Sequence, residues 1–447
     1  MRHSAPLRAG GKLGAPCLLV SYRASSQPSS VSAISASAFI AHSIRHFTHA
    51  FSMAAAARAH RAVRTDDVLA CVFSQLELFD GCVGAAFVCK QWHTAWRKNA
   101  KGLYRPVNIR VGGGQNRFPG GMKALDAGGG VVISNCEGGD CLYLYSSDGA
   151  QLGTLDADAF DSPNAVTLDG DGAMWLSHDE DKKVSHVHVD WATMEISTPS
   201  YEVNFDDRGC RVHDLAISGD SLLELCVEFW RWGQIHVLDK QTGVIRYEFG
   251  SSVAPGGDDE LRDPRCMALG GHGGDYCFVA DTHNQSVAVF NWRDGGTFVR
   301  RFGKPGDAPE MESDDDEYWN YSTYDDDRKS TEPGEFTEPF GIAIRGQTLY
   351  VSDSGSVCDR VQIMRLPDDL RGPEGLEVLQ VLTWPPGGGS YYEPGGGPSS
   401  SFSNLILDGD RLWVVGGALL NPIPRVRANQ QHYWEYYSNV HIWAPIV

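Results

Sequence analysis

Residues Leu261–Gly303 read LRDPRCMALGGHGGDYCFVADTHNQSVAVFNWRDGGTFVRRFG. Pro264 heads a short apolar run and a Gly-rich turn follows it. Two more apolar runs are separated by Asp281-Thr282-His283-Asn284, and Phe298 to Gly303 closes the unit. Short runs rich in Val, Phe and Ala, bounded by Gly, Asp and Asn, suit strands joined by tight turns. The phrase therefore predicts four short strands, each expected to alternate buried and exposed side chains with period two.

The phrase recurs on both sides. Upstream stand FPGGMKALDAGGGVVISNCEGGDCLYLYSSDG from Phe118, FDSPNAVTLDGDGAMWLSHDEDKKVSHVHVD from Phe160 and RVHDLAISGDSLLELCVEFWRWGQIHVLDKQTG from Arg211. Downstream stand FTEPFGIAIRGQTLYVSDSGSVCDRVQIMRL from Phe336, and FSNLILDGDRLWVVGG from Phe402 with SNVHIWAPIV from Ser438. Repeats of ~40–50 residues with about four strands each are the mark of propeller blades, and six copies predict a mainly β, six-bladed propeller. The chain stops just after a third strand. YRPVNIRVG, from Tyr104, is expected to supply the missing outer strand and so remove an exposed edge. The copies at Leu261 and Phe336 resemble NHL repeats, through Tyr276–Asp281 with Asn284, and through Pro339–Ile344 with Leu349–Asp353. Asp281, Asn284 and Asp353 recur with the repeat and are read as turn-stabilising.

A different pattern precedes the repeats. Thr65 can cap a helix whose first turn holds Asp66 and Asp67, favourable against the helix dipole. Val68, Leu69, Val72, Phe73 and Leu76 then form one wide apolar stripe. Gly81 breaks it, and a second helix carries Val88, Cys89, Trp92 and Trp96. Helices this short bury too little area to stand alone, so their apolar face needs a partner. The block resembles an F-box: Val68-Leu69, Val72-Phe73 and Leu76 match its first half, and Phe87-Val88-Cys89-Lys90 with Trp92 match its second. Arg64-Thr65 departs from the family's usual Leu-Pro. The other reading is a helical lead-in packed on the C-terminal domain. The resemblance implies docking onto a Skp-type adaptor of a cullin-based (SCF) ubiquitin ligase through Val68, Leu69, Val72, Phe73, Leu76, Val88, Cys89 and Trp92. The expected organisation is a disordered or targeting-like leader at 1–62, an F-box-like helical domain at 63–103 and an NHL-like propeller at 104–447.

The leader holds no acidic residue before Asp66, and its first 52 residues carry five Lys/Arg and eleven Ser. That composition resembles an organelle transit peptide. A disordered leader, or a start at Met53, are the alternatives. Residues 1–104 hold 12 Lys/Arg against 4 Asp/Glu, whereas the remainder holds 26 against 53. So acidic a repeat region is poorly suited to phosphate backbones, which are bound by Lys/Arg. No run of 18 apolar residues exists, so no spanning helix is expected. The 11 cysteines are scattered with no CxxC, which predicts reduced, mostly buried thiols, although Cys136 and Cys141 flank one turn.

The long insertions, 251–262, 304–335, 385–401 and 416–438, are assigned to loops on one face, an elaboration that suggests binding. Residues 307–332 hold 11 acidic residues with Tyr318, Trp319, Tyr321 and Tyr324 among them, either a solvated loop or a docking loop for a basic partner. Ser313 there is a weak acidophilic-kinase candidate. Trp230, Arg231 and Trp232 in one loop, with Arg425, Arg427, Tyr433 and Trp434 in another, are the residue types of interface hot spots and the predicted substrate-binding residues. Ordinary loop packing is the bland alternative. His186 and His188, near His178–Asp181, are conceivable metal ligands. Outer-strand and turn positions explain them more simply, and no metal or cofactor is assigned. No GxSxG, P-loop or HExxH is present.

The expected function is that of a non-catalytic substrate-recognition subunit of an SCF-type ubiquitin ligase, in the cytoplasm and/or nucleus. Its partners are the Skp-type adaptor with its cullin and an unidentified protein substrate. The alternatives are a propeller hydrolase or lyase with a central metal, and an RNA-binding NHL propeller.

Overall fold

The computed structural model describes residues between Tyr104 and Pro445, leaving out 112–118, 125–129, 136–140, 157–161, 171, 179–182, 191–192, 194, 198–200, 205–209, 229–231, 251–256, 304–331, 355–359, 384–401 and 419–436. The chain divides into two units, Met1–Trp96 and Arg97–Val447, and every described residue belongs to the second. The leader and the F-box-like block, including all eight predicted adaptor contacts, lie outside the described residues.

Strand β1 (Tyr104–Val111) comes first in the chain. Sheet I follows with β2 (Pro119–Ala124), β3 (Val131–Asn135), β4 (Cys141–Tyr145) and β5 (Gln151–Asp156). Sheet II holds β6 (Pro163–Leu168), β7 (Ala173–His178), β8 (Lys183–Asp190), the short β9 (Glu195–Ile196) and β10 (Tyr201–Asn204). Sheet III holds β11 (Cys210–Ser218), β12 (Ser221–Glu228), β13 (Trp232–Asp239), β14 (Ile245–Phe249) and the short β15 (Leu261–Arg262). Sheet IV holds β16 (Pro264–Gly270), β17 (Tyr276–Asp281), β18 (Ser286–Asn291) and β19 (Thr297–Gly303). Sheet V holds β20 (Glu338–Arg345), β21 (Thr348–Ser354), β22 (Arg360–Arg365) and β23 (Glu377–Thr383). Sheet VI holds β24 (Phe402–Asp408), β25 (Arg411–Ala418) and β26 (Tyr437–Pro445).

These sheets are antiparallel meanders arranged as a β-propeller. The first strands neighbour one another in a cycle, β2 with β6, β11, β16, β20 and β24 in turn, and β24 again with β2. Sheet VI has its fourth strand from the other end of the chain: β1 pairs with β26, Val107 opposite Ile442 and Tyr104 opposite Pro445. The expected closure is therefore present, and it covers an edge that β26 would otherwise expose.

The core lies between sheets. Leu223, Leu225 and Val237 of sheet III pack on Met267, Val279 and Phe290 of sheet IV. Ile406, Trp413 and Ile442 of sheet VI pack on Met122, Ile133 and Tyr145 of sheet I. Because each sheet is covered on both faces, its middle strands do not alternate as expected. In β17 and β7 every residue after the first is buried. Double coverage turns an alternating strand into a continuous apolar run. Among the described residues, Cys141, Cys210, Cys226, Cys266 and Cys277 are buried and none is in a disulfide. No helix among the described residues is long and apolar enough to cross a membrane.

Candidate substrate-binding face

Each first strand enters its sheet through a register shift against its second strand. The shifts fall between Pro119 and Met122, Pro163 and Val166, Val212 and Asp214, Pro264 and Cys266, Pro339 and Ile342, and Phe402 and Leu405. A bulge re-aims the residues it contains and ends regular pairing, which suits a rim where strands give way to a binding face. The bulges hold Asn164, His213, Arg265 and Phe340 in sheets II to V.

These side chains tie neighbouring sheets together. Asn164 Nδ2 donates to the Val212 carbonyl at 3.2 Å. His213 Nδ1 lies 3.2 Å from the Pro264 carbonyl, and since a carbonyl only accepts, that nitrogen carries the proton. Burial, then the charge of Arg265, pushes the His213 pKa down to about 3, so the ring is neutral at pH 7. Arg265 Nη2 binds Asp263 at 2.6 Å, and the same carboxylate oxygen lies 3.3 Å from His283 Nε2. The Arg265 guanidinium also lies 5.5 Å from the centre of the Phe340 ring.

Behind the rim, two buried aspartates hold the incoming loops. In sheet IV, Asp281 accepts from the Arg262 amide at 2.7 Å, from Asn284 Nδ2 at 2.8 Å, and from Arg301. Burial raises its pKa, and Arg301 opposes the rise. In sheet V, Asp353 accepts from the amides of Thr337 and Glu338 at 2.7 and 3.0 Å and from Arg360 Nε at 2.9 Å. Burial lifts its pKa to about 6 against the pull of Arg360. The recurring aspartates thus do more than stabilise a local turn. Each pins the segment that leads into its own first strand.

Of the predicted substrate-binding residues, only Trp232 lies among the described ones; Trp230, Arg231, Arg425, Arg427, Tyr433 and Trp434 lie outside them. Trp232 is not in a loop. It opens β13, opposite Glu228 on one side and Arg262 on the other. The Arg262 guanidinium sits 5.2 Å from the centre of its ring. The next residue must be small, since a Cβ on Gly233 would lie 2.2 Å from Pro264 Cγ. The connections 304–331, 384–401 and 419–436, with the acidic segment 307–332 and Ser313 among them, fall outside the described residues apart from Glu332. They join β19 to β20, β23 to β24 and β25 to β26, so the strands they link meet at the bulged end of their sheets.

The histidine pair expected as outer-strand residues lies on β8, the third strand of sheet II counted from β6. His186 Nε2 is 3.4 Å from Asp169 Oδ2 and its ring is 4.7 Å from that of Trp175. Lys240 Nζ already binds Asp169 at 2.6 Å. Among the described residues, the metal-competent group is instead Glu224, Cys226 and His236, which sequence reasoning missed.

A family model described as the F-box domain matches residues 65–103. No curated protein matches this sequence. Among solved structures, a luciferin-regenerating enzyme is 12% identical over 76% of this chain and 95% of its own, with a TM-score of 0.47. Virginiamycin B lyase from Staphylococcus aureus is 13% identical over 76% of this chain and 99% of its own, with a TM-score of 0.41. The WD40 domain of Neurospora crassa Pan2 is 11% identical over 73% of this chain and 75% of its own, with a TM-score of 0.37.

Proposed function

We propose that this chain is the substrate-recognition subunit of an SCF-type cullin ubiquitin ligase. The observation that carries the reading is the F-box match at residues 65–103, placed ahead of a β-propeller. Val68, Leu69, Val72, Phe73, Leu76, Val88, Cys89 and Trp92 complete an apolar core with a Skp-type adaptor, which answers why so small a helical block needs no core of its own. The propeller at 104–447, a six-bladed NHL-like ring in this reading, presents a protein substrate. Trp230, Trp232 and Trp434 with Arg231, Arg425, Arg427 and Tyr433 supply the anchors. The chain catalyses nothing itself; it raises the effective concentration of substrate lysines near the ubiquitin-loaded enzyme, in the cytoplasm and/or nucleus. The strongly acidic repeat region disfavours a nucleic-acid partner.

Co-purification tests this. The full chain should recover a Skp-type adaptor, and Leu69→Asp or Phe73→Asp should lower recovery at least about tenfold, because a charge buried in an apolar interface costs several kcal/mol. Undiminished recovery, with the propeller folded in both proteins, overturns the reading.

A further inference from the structure

Glu224, Cys226 and His236 meet inside sheet III, on β12 and β13. Glu224 lies directly opposite His236 across the β12–β13 pair, and Cys226 is two residues along on the same face of β12. Cys226 Sγ is 3.3 Å from His236 Nδ1, and Glu224 Oε2 is 3.9 Å from the same nitrogen. The three donor atoms lie within 4.8 Å of one another and all three residues are buried. On the other side of the imidazole, Glu248 Oε2 lies 3.9 Å from Nε2, and Glu248 is the cross-strand partner of His236 on β14.

We propose that Glu224, Cys226 and His236 form a zinc site that braces sheet III against sheet II. Four features of its chemistry support the assignment. Thiolate, imidazole and carboxylate together suit a borderline-soft, tetrahedral ion. Zinc bonds of about 2.0–2.3 Å put neighbouring donors roughly 3.4–3.6 Å apart, so the Cys–His spacing already fits. The Glu224 carboxylate, at the end of a flexible side chain, reaches that spacing from Nδ1 with a shift of about half an ångström, and it lies within 4.8 Å of the thiol. Nδ1 then binds the ion while Glu248 faces the other ring nitrogen, the placement of an outer carboxylate that orients a histidine ligand.

Register strengthens the case. Just before the bulge of its sheet, Pro264 pairs with Asp281, Pro339 with Asp353 and Val212 with Cys226. Cys226 therefore holds the register position that sheets IV and V give to the buried aspartates, each beside an arginine. The two positive charges of a divalent ion balance a Glu224 carboxylate and a Cys226 thiolate, with a neutral His236. Cys226 also belongs to the apolar cluster that includes Ala165, Trp175 and Val184 of sheet II, so an ion held there would stiffen the II–III interface.

The test uses the full chain, purified without chelator and then given Zn2+ or Co2+ alone. In urea just below the unfolding transition, where local opening lets the buried thiol react, one zinc per chain bound through this group should slow alkylation of Cys226, as read by peptide mass mapping, and a chelator should restore the rate. Co2+ should give a thiolate-to-metal charge-transfer band that Cys226→Ser abolishes and Cys277→Ser, which changes a buried thiol of sheet IV, retains. Glu248→Gln should weaken zinc binding about tenfold. A folded wild-type chain that gives no thiolate-to-metal band with Co2+ overturns the proposal, whatever the variants do. So does a charge-transfer band that survives Cys226→Ser.

Discussion

Sheets IV and V bury a carboxylate beside an arginine, whereas sheet III buries one beside a thiol and an imidazole. The backbone frame is the same: a bulged first strand and a second strand whose partner residue faces the residue before the bulge. What differs is the permanence of the compensating charge. A guanidinium stays charged at any working pH, while an imidazole or a thiol changes with pH, redox state or metal. Asp281 and Asp353 thereby keep a fixed cation beside them as they pin their loops, whereas the groups beside Glu224 can themselves change state.

The largest expected effect breaks the permanent pair. Arg360→Ala removes the cation from Asp353, and it also removes the donor that reaches the Glu335 carbonyl at 2.8 Å. Stripping one partner from a buried ion pair costs about 3–5 kcal/mol. Urea unfolding of the variant should show that loss, and the loop before β20 should become more sensitive to proteolysis. A change below about 1 kcal/mol would mean that the backbone amides of Thr337 and Glu338 hold Asp353 without help.

The second effect is smaller and separates the sheets by sign. In sheet V the folded Asp353 titrates near 6 instead of the ordinary 3.8, so its protonation favours the fold. That contribution is full below about pH 3.8 and is lost as pH rises through 6. In sheet III the folded His213 titrates near 3 instead of 6.5. Its depressed pKa penalises the fold increasingly as pH falls from 6.5 toward 3, because only the unfolded chain takes the proton. Acidification from pH 6.5 to 5 should cost about 1 kcal/mol through His213, a value reduced from the dry limit because the ring keeps some exposure. Melting curves against pH should show His213→Asn losing this acid sensitivity. Asp353→Asn should instead lose the opposing slope between about pH 4 and 6, whatever its overall stability.

The contrast also marks what could be read from the sequence. The propeller class was legible because the Pro-headed strand and its Gly/Asp turns recur, and its closure because the sixth copy shows three strands while Tyr104–Val111 belongs to none of the copies. The F-box-like block was legible from the spacing of Val68 to Trp92 and matches a family model over residues 65–103. Asp281 and Asp353 were visible as recurring residues, but their reach to Arg262 and to Thr337 was not, since those contacts cross from a second strand to the preceding loop. Glu224 and His236 escaped notice for a related reason. They are 12 positions apart and meet only when β12 and β13 pair, and a search for short metal motifs along the chain passes over cross-strand sites. The short connection between β12 and β13 sets the register that places them opposite each other. Trp232 was misplaced because its neighbours Trp230 and Arg231 drew the whole EFWRWG stretch into one loop.

Trp232 gives the smallest stability effect and the sharpest functional one. It stands where sheets III and IV meet: it opens β13, and Arg262, whose amide is held by Asp281, lies over its ring. If that packing is its whole task, Trp232→Ala should cost about 0.5–1 kcal/mol, the size of a partly exposed cation–π contact, and substrate capture should follow stability alone. If the ring is also an anchor for a substrate, the same substitution should lower substrate recovery by a factor far larger than that stability loss explains, since hot-spot aromatics contribute about 2 kcal/mol or more to an interface. Trp232→Phe separates the two, because it keeps an aromatic face for Arg262 while removing the indole N–H. The expected outcome is a near-wild-type melting temperature for the Phe variant, unchanged recovery of the adaptor and reduced recovery of substrate proteins by quantitative mass spectrometry. Full recovery in both variants would assign Trp232 to the seam between sheets and leave recognition to the connections between strands.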